Sequence, residues 1–370
     1  MKKHSVFLLT LFLAACIAAL FLSIITLNII YPEAEPKIFL KSVALENLAA
    51  ERPEKEVQTM DFLFFGDIML DRHVKEIMDK NGGVDYLLEK IAGKEKRFFQ
   101  GVDVISANLE GAVTKNGQHY PPAMGIDFAF NPQDVAQFKN YNFNFFNIAN
   151  NHITDQGQAG LAETRDNLQD FDFDYVGCAD KQVDSCSLNI IDKHGVKIAM
   201  IGYSMVYGSL DEEKILAQIK NVREKADLVV LNMHWGVEYE PQARSNIKKL
   251  ARDMIDVGAD IIIGHHPHVV QGMEVYKGRP IFYSLGNFIF DQYFSKETQE
   301  GLAVGVTWQR DGVGQAKLDL SLFPFQSYYS QTVLMSGEKK QAFFDSFIHI
   351  SDLDAVYADS VSSGKIFLSL

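Results

Sequence analysis

Asp260-Ile-Ile-Ile-Gly-His-His-Pro-His268 decides how this chain is read. One acidic residue, three β-branched apolar residues and a glycine predict a short buried strand that stops at Gly264, with three imidazoles on the loop behind it. Imidazole is the commonest neutral metal ligand, and His266 and His268 flank a proline that stiffens the loop, so they could offer nitrogens to two neighbouring ions. An isolated His-x-His is more often a solvated loop. Here four other apolar runs end in Asp67, Glu110, Asn151-His152 and His234. That is the pattern expected when several strands of one α/β domain deliver ligands to one edge.

The chain has 370 residues, 47% of them apolar, enough for one large domain or two ordinary ones. Its first segment carries Lys2, Lys3 and His4 and then no charged residue from Ser5 through Pro32. Those 28 residues exceed the roughly 20 that cross a bilayer as a helix. Residues 1–32 are therefore read as one uncleaved transmembrane anchor rather than a signal peptide. Leu13-Ala-Ala-Cys16 offers an alternative, a lipoprotein acylated at Cys16, but the apolar run continues to Ile30. Lysines before the span and Glu33 and Glu35 after it place the N-terminus in the cytoplasm and the rest outside.

With Lys2 and Lys3 set aside, 33 of the 35 basic residues face all 48 acidic ones, a net charge of −15. This argues against nucleic acid as a partner and requires a local cationic feature, such as bound divalent metal, to hold any anionic one. Cys178 and Cys186 could form a disulfide in an oxidising compartment or remain two free thiols. Residues 33–59 are charged and carry Pro36 and Pro53, so they read as a stalk. A domain over 60–310 follows, then an extension over 311–370 packed on it. No repeat of 20 to 50 residues is evident, which removes solenoids and propellers.

Within the domain, strand-like and helix-like segments alternate. Strands are predicted at 62–65, 102–109, 144–149, near 175, and at 187–191, 197–203, 228–233, 280–284 and 302–309, the last two closing the sheet series. Helical spacing falls over 73–91, 132–139, 158–170, 214–225 and 243–257. This alternation, with short antiparallel pieces, predicts a layered α/β fold with at least one mixed sheet.

Each candidate ligand follows an apolar run. Asp67 emerges after Phe62 to Gly66, where a carboxylate could bind a hard or borderline cation or cap a helix. Glu110 is placed alike and could bridge two metals. Asn151 and His152 pair an amide ligand with an imidazole suited to donating a proton to a leaving group. His234 ends the run before Trp235-Gly236. Together they describe a di-metal centre of mixed N/O ligands for Mn²⁺, Fe or Zn²⁺. Two ions about 3.5–4 Å apart would clamp an oxyanion and activate water. Arg72 could reach an anionic substrate or be an ordinary ion-paired surface residue. Asp155 and Glu238 could orient ligands from behind, although Asp155 would equally cap a helix. The turn Leu285-Gly-Asn-Phe288 and His349 are read as structural, His349 as packing.

The series Gly66-Asp67-Ile-Met-Leu-Asp-Arg72, Asn108-Leu-Glu110, Ala149-Asn-Asn-His152 with Asp155 and Gly157, His234-Trp-Gly236 with Glu238, Gly264-His-His-Pro-His268 and Ser284-Leu-Gly-Asn-Phe288 resembles the bacterial capsule-synthesis family called CapA or PgsA. That family is linked to poly-γ-glutamate capsules and belongs with the calcineurin-like metallophosphoesterases. The resemblance implies an α/β/β/α sandwich of two mixed sheets between helices. It implies Asp67 and His268 at a first metal, Asn151, His234 and His266 at a second, Glu110 between them, and His152 as general acid. Two positions depart from the superfamily pattern: Met69 stands where Asp-x-His would put its histidine, and Glu110 replaces a bridging aspartate. His265 has no counterpart and is expected on the loop or outside the ligand set.

Two functional classes follow. One is a membrane-anchored, metal-dependent hydrolase acting outside the cell on an anionic polymer such as poly-γ-glutamate, or on its phosphorylated or amide-linked precursor. The other is a non-catalytic assembly or export factor working with the membrane subunits of a capsule synthase complex.

Overall fold

A computed structural model describes residues 57–119 and 125–370. The anchor, the lipoprotein alternative at Cys16 and all but the last three residues of the stalk lie outside those residues. No helix among the described residues is long and apolar enough to cross a membrane.

The described chain forms strands β1 (Gln58–Ile68), β2 (Val104–Leu109), β3 (Ala112–Val113), β4 (Ala129–Phe130), β5 (Phe145–Asn147), β6 (Asp174–Val176), β7 (Leu188–Lys193), β8 (Val196–Ser204), β9 (Leu228–His234), β10 (Ile261–His265), β11 (Met273–Tyr276), β12 (Arg279–Phe282), β13 (Asn287–Ile289), β14 (Glu300–Arg310), β15 (Ala316–Tyr328), β16 (Gln331–Leu334) and β17 (Lys365–Ser369). The first sheet runs β16-β15-β14-β1-β2-β5-β6, with β13 on β1 and β17 on β15. The second runs β11-β12-β10-β9-β8-β7. Both are mixed: β1, β2, β5 and β6 are parallel and so are β8, β9, β10 and β12, whereas β14 to β17, β7 and β11 pair antiparallel.

Apolar side chains on facing strands make the central layer. Phe62, Phe64 and Val104 of the first sheet share one core with Ile198, Met200, Val230, Ile261 and Ile263 of the second. Behind the second sheet, Ile201, Val229, Leu231 and Met233 pack on Ile215, Ile219, Ile247, Leu250 and Met254 from the helices Glu212–Arg223 and Ser245–Asp256. Behind the first lies a layer of phenylalanines, with Phe65 stacked on Phe288 at 4.1 Å and tilted against Phe99 and Phe143. Burial on both faces explains why β1, β9 and β10 read as continuous apolar runs rather than alternating ones. The sandwich of two mixed sheets is thus present.

Several boundaries differ from expectation. Helical spacing over 73–91 belongs to two helices, Arg72–Asn81 and Val84–Ala92, because Gly82 (φ +102°) and Gly83 (φ +79°) adopt backbone that breaks the first. The sheet series does not close at residue 309. β15 pairs with β14 along its whole length, and β16 and β17 flank β15, so residues beyond 311 extend the first sheet. His349 is exposed rather than packed, because Phe343, Phe344 and Phe347 point the helix Gly337–Ile350 inward and a residue two places further on faces away. The strand of the opening stretch runs one residue past Gly264, which puts His265 inside the sheet.

Cys178 and Cys186 are joined, with Cα atoms 5.2 Å apart. Closing a loop of this size removes denatured-state entropy worth about 2.5 kcal/mol. Cys186→Ser should lower unfolding stability by about that much in a denaturant titration under non-reducing conditions. Equal midpoints for the two proteins would contradict it.

Candidate metal centre

The site forms where parallel strands of both sheets end. Sheet register sets the first row: Asp67 of β1 lies opposite Asn108 of β2 and Asn287 of β13. It sets the second row likewise, with Ser204, His234 and His265 side by side on β8, β9 and β10. Two glycines let the backbones close at these ends. A Cβ on Gly66 would meet Gly286 O at 1.8 Å, and one on Gly264 would meet Tyr283 O at 1.9 Å. After β10, His266 (φ +95°) and His268 (φ +58°) both take left-handed backbone. Such conformations cost about 1–3 kcal/mol each for residues with side chains and persist where surrounding structure enforces them. Here they turn two imidazoles into the cavity that Asp67 enters from β1, and the His266 N–H donates to Asp67 Oδ2 at 3.2 Å.

Asp67, Glu110, Asn151, His152, His234, His266 and His268 are all buried. Donor atoms of Glu110, His266 and His268 lie within 4.8 Å of one another, and so do those of Asp67, Glu110 and His234. Glu110 belongs to both groups. Its Oε1 is buried and accepts no hydrogen bond, yet the Nε2 atoms of His268, His152 and His234 stand 3.7, 3.8 and 3.9 Å away. A buried carboxylate oxygen without a donor is costly, and a ring of imidazole nitrogens just beyond hydrogen-bond reach leaves room for a cation among them. The residues therefore fit a pair of divalent ions that share Glu110.

The hydrogen bonds orient the ligands. His268 Nδ1 pairs with Asn287 Oδ1 at 2.9 Å, which leaves Nε2 facing Glu110. Asn151 Oδ1 lies 2.7 Å from His234 Nε2. His152 Nδ1 pairs with Asp155 Oδ2 at 2.8 Å, its ring lies 4.4 Å from that of Phe128, and the same Asp155 oxygen accepts the Phe128 N–H. Asn108, quoted in the motif without a role, is the hub: its Nδ2 donates to Asp67 Oδ1 at 2.8 Å and lies 3.2 Å from His234 Nδ1, while its Oδ1 accepts from Asn147 and Asn150. Asn287 gives the turn at 285–288 a structural task at the site, orienting the His268 ring.

Charge is distributed accordingly. Burial pushes His265 to about 4 and His266 to about 3, and burial with neighbouring imidazoles takes His234 well down, so all three are neutral and able to ligate. Burial pushes Glu110 up to about 8. Burial opposes charge on His268 as well, but Glu110 and Asp67 outweigh it and raise that imidazole to about 9. A cation binding here would compete with protons on Glu110 and His268.

The remaining candidates sit at the mouth. A cleft of about 390 Å³ is lined by Arg72, Phe128, His152, Tyr207, Glu238, Tyr239, His268 and Phe290 among others. Arg72 is tied by its guanidinium to Asp291 and to Gly125 O at 2.7 Å, and it lies over the Phe128 ring at 4.9 Å. Glu238 stands exposed on the cleft wall rather than behind an imidazole. Met69 is buried, with its sulfur accepting the Asp71 N–H at 3.0 Å.

The two mixed sheets packed between helices are an α/β architecture of the metallophosphoesterase-like class. The chain belongs to the family described as bacterial capsule synthesis protein PGA_cap, whose family model matches residues 61–292. It is 32% identical over 327 residues to the capsule biosynthesis protein CapA of Bacillus anthracis, covering 83% of this chain and 78% of that one. It is 33% identical over 283 residues to the PGA biosynthesis protein CapA of Bacillus subtilis, covering 72% and 73%. A Mycobacterium tuberculosis protein named as a probable polyglutamine synthesis accessory protein is 23% identical over 281 residues, covering 62% of this chain and 74% of its own.

Proposed function

We propose that this chain is a membrane-anchored, extracytoplasmic capsule-biosynthesis protein whose di-metal site acts on a poly-γ-glutamate type polymer or on its phosphorylated or amide-linked precursor. The observation that carries this reading is the unpartnered Glu110 Oε1 at the meeting point of two donor groups. The family resemblance would put Asp67 and His268 on one ion and Asn151, His234 and His266 on the other, whereas the donor atoms cluster as Asp67 with His234 and His266 with His268; Glu110 would serve both ions in either division. Bound Mn²⁺, Fe or Zn²⁺ would supply Lewis-acid polarisation and water activation. His152, fixed through Asp155, directs Nε2 into the same cavity and can carry a proton to a leaving oxygen or nitrogen. Phe128 and Phe290, both buried, give the cleft an apolar wall beside the site. Metal analysis of the purified domain tests the reading, with about two equivalents of divalent metal expected. A protein reconstituted with excess Mn²⁺ and Zn²⁺ that retains none would refute it.

A second reading, a non-catalytic factor for assembly or export beside the membrane subunits of a synthase, is favoured by Met69 in place of the superfamily histidine and by the word accessory in the mycobacterial relative's name. Both readings place the domain outside the cell, with Ser5 to Pro32 as the single span. Protease added to cells stripped of outer layers should digest the domain while a cytoplasmic marker survives. Protection of both would reverse the orientation.

A further inference from the structure

We propose that His265 is an additional metal-ligating residue, supplying beside Asp67 the imidazole that Met69 cannot. The inference rests on the di-metal reading above and concerns the composition of its first site. His265 is 1% exposed, and neither of its ring nitrogens has a hydrogen-bond partner. Leaving a buried polar group unpaired costs about 1–3 kcal/mol, so a histidine kept only for packing would be worse than a phenylalanine or leucine of similar size. Its nearest polar neighbour is informative. His265 Nδ1 lies 3.5 Å from Asp67 Oδ1, and that oxygen already accepts from Asn108. Two ligands each about 2.0–2.2 Å from a shared ion at a near-tetrahedral angle stand roughly 3.4 Å apart. The observed separation matches that arrangement.

Position supports it from a second side. His265 ends β10 directly beside His234 on β9, so the sheet that delivers one accepted ligand delivers His265 from the next strand. Met69, in contrast, is committed elsewhere, its sulfur taking the Asp71 N–H. The superfamily's first-strand histidine is thus exchanged for one from the strand of the opening stretch, and the site keeps its nitrogen.

The test compares wild type, His265→Phe, His265→Leu and the double variant Met69→His/His265→Phe after reconstitution with Mn²⁺ or Zn²⁺ and removal of excess metal. Metal per chain is measured by mass spectrometry, and the rise in Tm on adding metal is recorded alongside. Wild type should hold about two equivalents, each single variant about one with a smaller rise in Tm, and the double variant should regain the lost equivalent. His265→Leu guards against a variant that fails because the phenylalanine does not fit. Single variants that keep both equivalents, or a double variant no better than the single, would overturn the assignment while leaving the di-metal reading intact. A wild type that binds no metal would remove both.

Discussion

Replacing His152 with asparagine or alanine is expected to cut turnover by roughly 10²–10⁴-fold while metal content and fold stay as in the wild type. His152 differs from the other imidazoles of the site in what holds it. Burial works against its charge, but the hydrogen bond from its Nδ1 to Asp155 and the nearby Glu110 carboxylate outweigh that and raise it above the ordinary value. The Asp155 contribution persists when cations neutralise Glu110. An imidazole held toward its protonated form suits an acid for a leaving group and not a metal ligand. The loss should grow as the leaving group becomes more basic, because an aryl phosphoester needs little help from an acid and an alkyl one needs much. A series of such esters therefore separates a proton donor from a residue that merely shapes the pocket. Capsule yield supplies the cellular arm: an assembly factor would tolerate the His152 substitution at matched protein level yet fail when the site is dismantled at His234 or His266. Full capsule yield with the His152 variant would leave the scaffold reading ahead.

Why the site could be read from the chain is visible in its construction. Parallel strands all end on one side, and each of β1, β2, β5, β9 and β10 is an apolar run whose first polar residues therefore come together. Asp67, Glu110, Asn151 and His234 were legible for that reason, and the left-handed loop at His266 and His268 finishes the cavity they enter. What escaped were residues whose chemistry is common elsewhere. Asn108 and Asn287 are amides at strand ends, where asparagine usually serves turns, and only the register across β2, β1 and β13 reveals them as the scaffold around Asp67 and His268. Gly264 reads in the sequence as a strand terminus, which leaves His265 on the loop. In fact the glycine is needed for the close approach of the Tyr283 carbonyl, and the strand continues past it. The C-terminal strand β15 does carry a signal: Lys317, Asp319 and Ser321 alternate with Leu318, Leu320 and Leu322, a period of two that reads as a strand, and only the run Phe323-Pro-Phe325 behind it blurs the pattern.

Glu110→Gln is expected to abolish high-affinity metal binding, and the apoprotein's own stability supplies the control. Glutamine keeps the size and one carbonyl-type acceptor but removes the charge shared between the two donor groups. Losing a group that only orients a ligand typically weakens metal affinity 10–100-fold, so losing the shared ligand itself should exceed that range. In the metal-free protein burial pushes Glu110 up to about 8, so its charge is disfavoured there and replacing it with a neutral amide removes little that stabilises the fold. Unfolding of the metal-free variant should then match or exceed the metal-free wild type in Tm. Added metal at a hundred times its dissociation constant should stabilise the wild type by about 2.7 kcal/mol and leave the variant unmoved. The two halves of the result depend on each other. A variant that is simply misfolded would melt early without metal, and a Glu110 with no part in binding would let both proteins gain stability alike. A shared, buried carboxylate whose charge burial disfavours and cations restore gives a little-changed apoprotein together with a lost response to metal.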